Sequence, residues 1–162
     1  MLLLKIYWHL MAIVQRCCYK ILYGSRVHFG RGVTWRKGFS LVIDGGHVRI
    51  GNGVFFNNNC SLTSQGEIEI GDDCILGENV KLYDHNHRFG GKTLIKNQGF
   101  SKGGLRIGRN CWLGSNVVLL KGAKIGDNVI IGAGCVIDGE IPSDTVVRRQ
   151  AGYELEPVRY HT

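Results

Sequence analysis

A six-residue period runs through most of this chain and leaves few folds open to it. Bulky aliphatic side chains recur at Ile107, Leu113, Leu119, Ile125, Ile131 and Ile137, and Gly follows at Gly108, Gly114, Gly126 and Gly132. The same frame runs earlier through Ile50, Phe56 and Leu62, then Ile70, Leu76 and Leu82. A fixed short period held this long is the mark of a solenoid. The fifth position of each unit carries a small or medium apolar residue: Val54, Cys60, Cys74, Val80, Cys111, Val117, Ala123, Val129, Cys135 and Ile141. Four of the six cysteines fall there. They read as compact buried residues rather than as a disulfide framework, and no CxxC pair suggests a zinc or redox motif.

Each unit is then a short strand and a turn, with the first-position aliphatic pointing inward. Three units close a triangular coil of about eighteen residues, and successive coils pair through parallel ladders about 4.8 Å apart. Corner positions taken by Gly, Asn or Asp are expected to tolerate unusual backbone angles. No single coil buries its own core, so stability comes from its neighbours. The expected fold is an all-β parallel β-helix over residues 24–147. Val27, Val33 and Phe39 continue the period loosely, and residues 62–70 carry two extra residues at a corner. Twenty-four Gly against two Pro fits a chain of tight turns.

Residues 1–23 are outside the repeat and read as a helix. Lys5, His9, Arg16 and Lys20 fall within a stripe about 60° wide, and nearly everything else is apolar. Two roles fit this pattern: a helix lying in a membrane interface, or one packed against the open end of the solenoid or against another subunit. The longest unbroken apolar run, Leu10 to Val14, is far short of the ~20 residues of a spanning helix. Lys5 interrupts the apolar stretch and no small-residue cleavage site follows, so no signal peptide is expected. This favours a cytoplasmic protein, at most peripheral on the inner membrane face. The net charge of +7 suits an anionic partner, and nothing beyond charge argues for nucleic acid.

The frame breaks after Leu82, at Tyr83-Asp84-His85-Asn86-His87-Arg88, and a loop over residues 88–106 precedes its return. Asn86 stands where an inward apolar residue is due. A regular solenoid that spends a long loop and two histidines at one point is expected to hold a site there. An imidazole is suited to deprotonate a hydroxyl near neutral pH.

Ile107-Gly108-Arg109-Asn110-Cys111-Trp112-Leu113-Gly114 and Ile125-Gly126-Asp127-Asn128-Val129-Ile130-Ile131-Gly132-Ala133-Gly134 resemble the hexapeptide-repeat acyltransferases. That family includes the maltose, colanic acid and O-antigen O-acetyltransferases and the streptogramin acetyltransferases. The resemblance covers about residues 25–147. It implies a left-handed coil, a hand that the usual crossover rule would not give. It implies acetyl-CoA as acyl donor, no metal, a homotrimer with sites between subunits, and a sugar or lipid-linked glycan as acceptor. An antibiotic hydroxyl is the alternative acceptor.

Asn86-His87-Arg88 matches the Asn-His-Arg of the streptogramin-type enzymes. The resemblance therefore implies His87 as the base, with His85 in reserve and Asp84 as a partner for the imidazole. Tyr83, Asn86 and Arg88 are implied on the acceptor side. Trp112, Gly114, Ser115, Gly132 and Ala133 match segments lining the cofactor groove. The Thr-Lys of many relatives is absent after the last repeat, and Arg148 or Arg149 is the expected substitute as a phosphate partner. Residues 148–162 form a C-terminal tail. A zinc-dependent relative of the same fold would need three histidines from neighbouring coils. No His occurs between His87 and His161, and the Thr ladders of a non-catalytic ice-binding solenoid are missing.

Overall fold

The structure is a computed structural model, and it describes residues 2–149. After one helix, α1 (Leu2–Tyr23), the chain winds through short strands that stack into three parallel sheets, the faces of a triangular prism. The first face stacks Val27–Phe29, His47–Ile50, Glu67–Ile70, Gly104–Ile107, Lys124–Ile125 and Glu140–Ile141. The second stacks Thr34–Trp35, Phe55–Phe56, Ile75–Leu76, Trp112–Leu113, Ile130–Ile131 and Val146–Val147. The third stacks Ser40–Ile43, Ser61–Ser64, Lys81–Tyr83, Val118–Leu119 and Val136–Ile137. Five full coils and two strands of a sixth result.

The coils are not uniform. Val27 pairs with Val48, twenty-one residues on, whereas Arg106 pairs with Lys124, eighteen on, and Lys124 with Glu140, sixteen on. The early coils spend their extra residues where the third face turns into the first, because the strands Ser40–Ile43 and Ser61–Ser64 run four residues before turning. At that same corner of the third coil the chain leaves the solenoid altogether.

The inward positions follow the sequence frame. Ile50, Phe56, Leu62, Leu76, Leu82, Leu113 and Leu119 are fully buried in one continuous core. Val27, Val33 and Phe39 take fifth-position slots, while Phe29, Trp35 and Leu41 fill the first-position slots of the first coil. All four repeat cysteines are buried. Cys60, Cys74 and Cys111 each point a thiol at the carbonyl of a corner glycine one coil up, Gly77, Gly108 and Gly126, at 3.1 Å. Burial pushes the Cys60 thiol up to about 11, so it behaves as packing and not as a nucleophile.

The corners divide their labour in a way the repeat alone does not reveal. Unusual backbone angles fall on the fourth position, not the second: Asn110, Asn116 and Asn128 have φ of 53°, 61° and 56°. The second-position glycines are required by close approach instead. A Cβ on Gly114 would lie 2.7 Å from the Ala133 nitrogen, and one on Gly71 would lie 2.6 Å from the Gly108 carbonyl carbon.

α1 closes the open end. Its inner side, Trp8, Ala12, Gln15, Tyr19 and Tyr23, lies on the first coil, with Ala12 buried. The Trp35 indole N–H donates to Gln15 Oε1 at 2.8 Å. The free edge of Ser40–Ile43 would otherwise face water. Instead the Leu41 N–H donates to the Tyr19 hydroxyl (3.3 Å), and the Tyr23 hydroxyl donates to the Leu41 carbonyl (3.1 Å). Of the two roles open to this helix, capping is the one its inner side performs.

Candidate active site

The excursion leaves the third face after Tyr83 and rejoins the first face at Gly104. Its base is a two-stranded antiparallel hairpin, His85–His87 against Phe100–Lys102, with His85 opposite Lys102 and His87 opposite Phe100. The hairpin starts earlier than the loop read from the sequence, because the break in the frame is at Asp84. The inward slot at the end of the third face holds Ile43 in the first coil, Ser64 in the second and Asp84 in the third. Asn86 is exposed on the hairpin and occupies no inward slot.

Asp84 is fully buried, and every lone-pair direction has a partner. Its carboxylate accepts from the Ser64 hydroxyl (2.7 Å), the Gln65 N–H (2.8 Å) and the Gly66 N–H (2.8 Å). His85 Nδ1 lies 3.0 Å from Asp84 Oδ1, and the His85 ring meets Phe100 edge-on at 5.3 Å. The Gly103 N–H returns to the Asp84 carbonyl at 2.8 Å, so one residue anchors both ends of the excursion. Lys121 adds a tie from the next coil, donating to the Ser101 hydroxyl at 2.7 Å.

His87 is placed differently. It is exposed, its ring rests 4.5 Å from that of Phe100, and among the described residues no group is hydrogen-bonded to its nitrogens. Asp84 therefore pairs with His85 and not with His87. Arg88 is exposed and closes the hairpin through its backbone, its N–H donating to the Gly99 carbonyl at 3.0 Å. Tyr83 is half-buried on the outer side of the third face, beside Thr63.

The residues matched to a cofactor groove meet at a different corner, where the second face turns into the third. Gly114 and Ser115 lie directly beneath Gly132, Ala133 and Gly134: the Gly114 N–H donates to the Ile131 carbonyl, and the Gly134 N–H to the Ser115 carbonyl at 2.9 Å. Arg148 and Arg149 follow on the sixth coil, the Arg149 guanidinium beside Gly134. Trp112 is half-exposed on the outer side of the second face, between Ile75 and Ile130. It covers no joint with the excursion. The loop histidines and this glycine corner thus stand at two different corners of one prism. Among the described residues, no cluster of three or more His, Cys, Asp or Glu could hold a metal ion.

Residues 104–139 match the model of the bacterial transferase hexapeptide (six repeats). WbbJ of Escherichia coli (strain K12), named for O-acetyl transfer in lipopolysaccharide biosynthesis, is 30% identical over 90% of this chain and 79% of its own length. The chain belongs to the hexapeptide-repeat transferases. A hexapeptide-repeat-containing acetyltransferase of Vibrio cholerae O1 biovar eltor, solved with acetyl coenzyme A, shares the fold with a TM-score of 0.70 at 23% identity. That match covers 83% of this chain and 70% of the other. A galactoside acetyltransferase solved with coenzyme A is 30% identical with a TM-score of 0.55, over 67% of this chain and 60% of that one. As a hexapeptide-repeat transferase it is a left-handed parallel β-helix with one N-terminal helix. It spans only 39% to 54% of the length of three other curated relatives.

Two features of this hexapeptide-repeat transferase escape a reading of the sequence. Phe100, against which both histidines pack, lies thirteen residues beyond His87 in a stretch with no period. Ser64 does leave a signal: a polar residue in an inward slot one coil below an aspartate.

Proposed function

We propose that this chain is an acetyl-CoA-dependent O-acetyltransferase that acetylates a sugar hydroxyl, working as a homotrimer with His87 as the base. The observation that carries this is the hairpin itself. It is the one excursion from within the coils among the described residues, and it holds a solvent-facing imidazole on a base pinned by a buried carboxylate. The neutral His87 ring takes the proton of the acceptor hydroxyl as that oxygen attacks the thioester carbonyl. The tetrahedral oxyanion collapses, the carbon–sulfur bond breaks, and the CoA thiolate leaves with the proton from the imidazolium. Backbone N–H groups at a coil edge are suited to steady the oxyanion. The likeness to a galactoside acetyltransferase solved with coenzyme A supports donor and acceptor class. The likeness to WbbJ supports a role in building a bacterial surface polysaccharide.

The trimer is supported by the unequal faces of the prism. The outer side of the first face is a charged column, His28, Arg49, Glu69, Arg106, Lys124 and Glu140, with Lys124 to Glu140 at 2.7 Å. The corresponding column on the second face begins at Thr34 and from the second coil on is apolar: Phe55, Ile75, Trp112, Ile130 and Val146, in register. An apolar column of this kind suits contact with another copy. In such a trimer the excursion of one subunit would have to reach the glycine corner of the next, because the two corners of one prism stand apart. Gly114, Ser115, Gly132 and Ala133 would let the pantetheine approach backbone amides, with Arg148 and Arg149 toward the phosphates.

A second reading exchanges the histidines. Asp84 holds Nδ1 of His85 at 3.0 Å, the way a base is often oriented, and His85 is then the base while His87 binds acceptor. The test is thiol release from acetyl-CoA across a panel of sugars. His87→Ala is expected to lower kcat by about 10²- to 10⁴-fold with the fold intact. Full activity in that variant and its loss in His85→Ala would select the second reading. A wild-type protein that fails to bind acetyl-CoA would sink both.

A further inference from the structure

We propose that the outer side of α1 docks this protein on a membrane surface rich in anionic phospholipid. α1 has three sectors around its axis. The inner sector is spent on the cap. On the side away from the solenoid, Leu3, Leu10, Val14 and Ile21 are exposed, Leu3 at 83% and Ile21 at 86%. Between these two sectors lie His9, Arg16 and Lys20. A helix of 22 residues is ~33 Å long and none of the described helices is long and apolar enough to cross a bilayer. A helix of this make lies flat, with its apolar side among the acyl chains and its basic edge at the headgroups.

The charge distribution names the partner. Residues 1–43 contain seven Lys or Arg and no Asp or Glu, while the remaining 119 contain thirteen of each, so the whole net charge of +7 lies on the helix and the first coil. Beside α1 an open groove of about 780 Å³ is lined by Arg16, Lys20, His28 and Arg31 together with Ile21 and Phe29, and no acidic residue. A lipid phosphate beside an acyl chain matches that lining. A second copy meeting this surface with its own basic end would set like charge against like charge. A nucleic acid would answer the charge but leave the apolar side chains in water. Only an anionic bilayer satisfies both. The inference stands apart from the acyl-transfer reading.

The full-length protein is sedimented with vesicles of phosphatidylcholine alone and of phosphatidylcholine mixed with phosphatidylglycerol. Binding is expected to the mixed vesicles, roughly tenfold or more weaker to the neutral ones, and weakened by salt. Arg16→Glu with Lys20→Glu is expected to weaken binding at least about tenfold. Leu10→Ser with Val14→Ser should do the same, with unchanged circular dichroism and sedimentation in solution. Acetyl transfer to a soluble sugar, followed on the same preparations, should not change; this separates failure of the helix from failure of the site. Wild-type protein left in the supernatant with mixed vesicles overturns the proposal. So does binding indifferent to both double variants, or an outer-sector variant that dissociates an oligomer, which would assign this face to a second copy.

Discussion

Asp84 shows how much one side chain can settle. A carboxylate in a core slot costs several kcal/mol unless its oxygens are paired, and here a hydroxyl, two backbone N–H groups and an imidazole surround it. Removing it would strand two backbone N–H donors in the second coil, while the Ser64 hydroxyl keeps the His47 carbonyl within reach at 3.2 Å. Asp84→Ala is expected to cost about 3 kcal/mol or more, lowering the thermal midpoint by roughly 6–12 °C, measured by circular dichroism. A change of less than a degree would mean that water replaces the carboxylate freely. Gly114 makes a different point at the same scale. Backbone approach already excludes a Cβ there, so its glycine has a structural cause whether or not a cofactor passes.

The helix and the hairpin are the two elements that the repeat does not generate, and each is held by a few side chains reaching a coil edge. In α1, Tyr19 lies among Phe29, Trp35 and Phe39, with ring centroids 6.1–6.5 Å away, and its hydroxyl meets the free edge of the third face. Burial raises its phenol above the usual tyrosine range, so it stays a neutral donor and acceptor. Tyr19→Ala is expected to destabilise the protein by about 2–4 kcal/mol in urea unfolding. Tyr19→Phe, which keeps the packing and loses the edge contacts, should cost about 1 kcal/mol. Equal losses in the two variants would assign the whole effect to hydrogen bonding, contrary to this account.

At the scale of the molecule, each surface has its own character: a charged face, an apolar face, a hairpin at one corner, a glycine groove at another and a basic end. The apolar second face predicts assembly. Ile75 is half-exposed in that column, between Phe55 and Trp112. Ile75→Glu is expected to shift the protein from trimer to monomer in light scattering, with its circular dichroism retained. A trimer that survives the charge would move the interface to another face.

Burial in this chain was legible from the sequence wherever the period holds, because every inward residue meets the same neighbours one coil away. Ile107, Leu113, Ile125 and the slotted cysteines could therefore be assigned from spacing alone, as could the break that marks the candidate site. The tertiary structure decided what depends on non-periodic partners. Asp84 reaches back twenty residues to Ser64, Tyr19 reaches forward twenty-two to Leu41, and both histidines pack on Phe100. Such contacts join segments of different period, and no local pattern specifies which coil edge a helix or hairpin will find. The same reason explains why Asn86, inward by count, lies outside: the backbone had already turned out of the coil at Asp84 to satisfy a buried carboxylate.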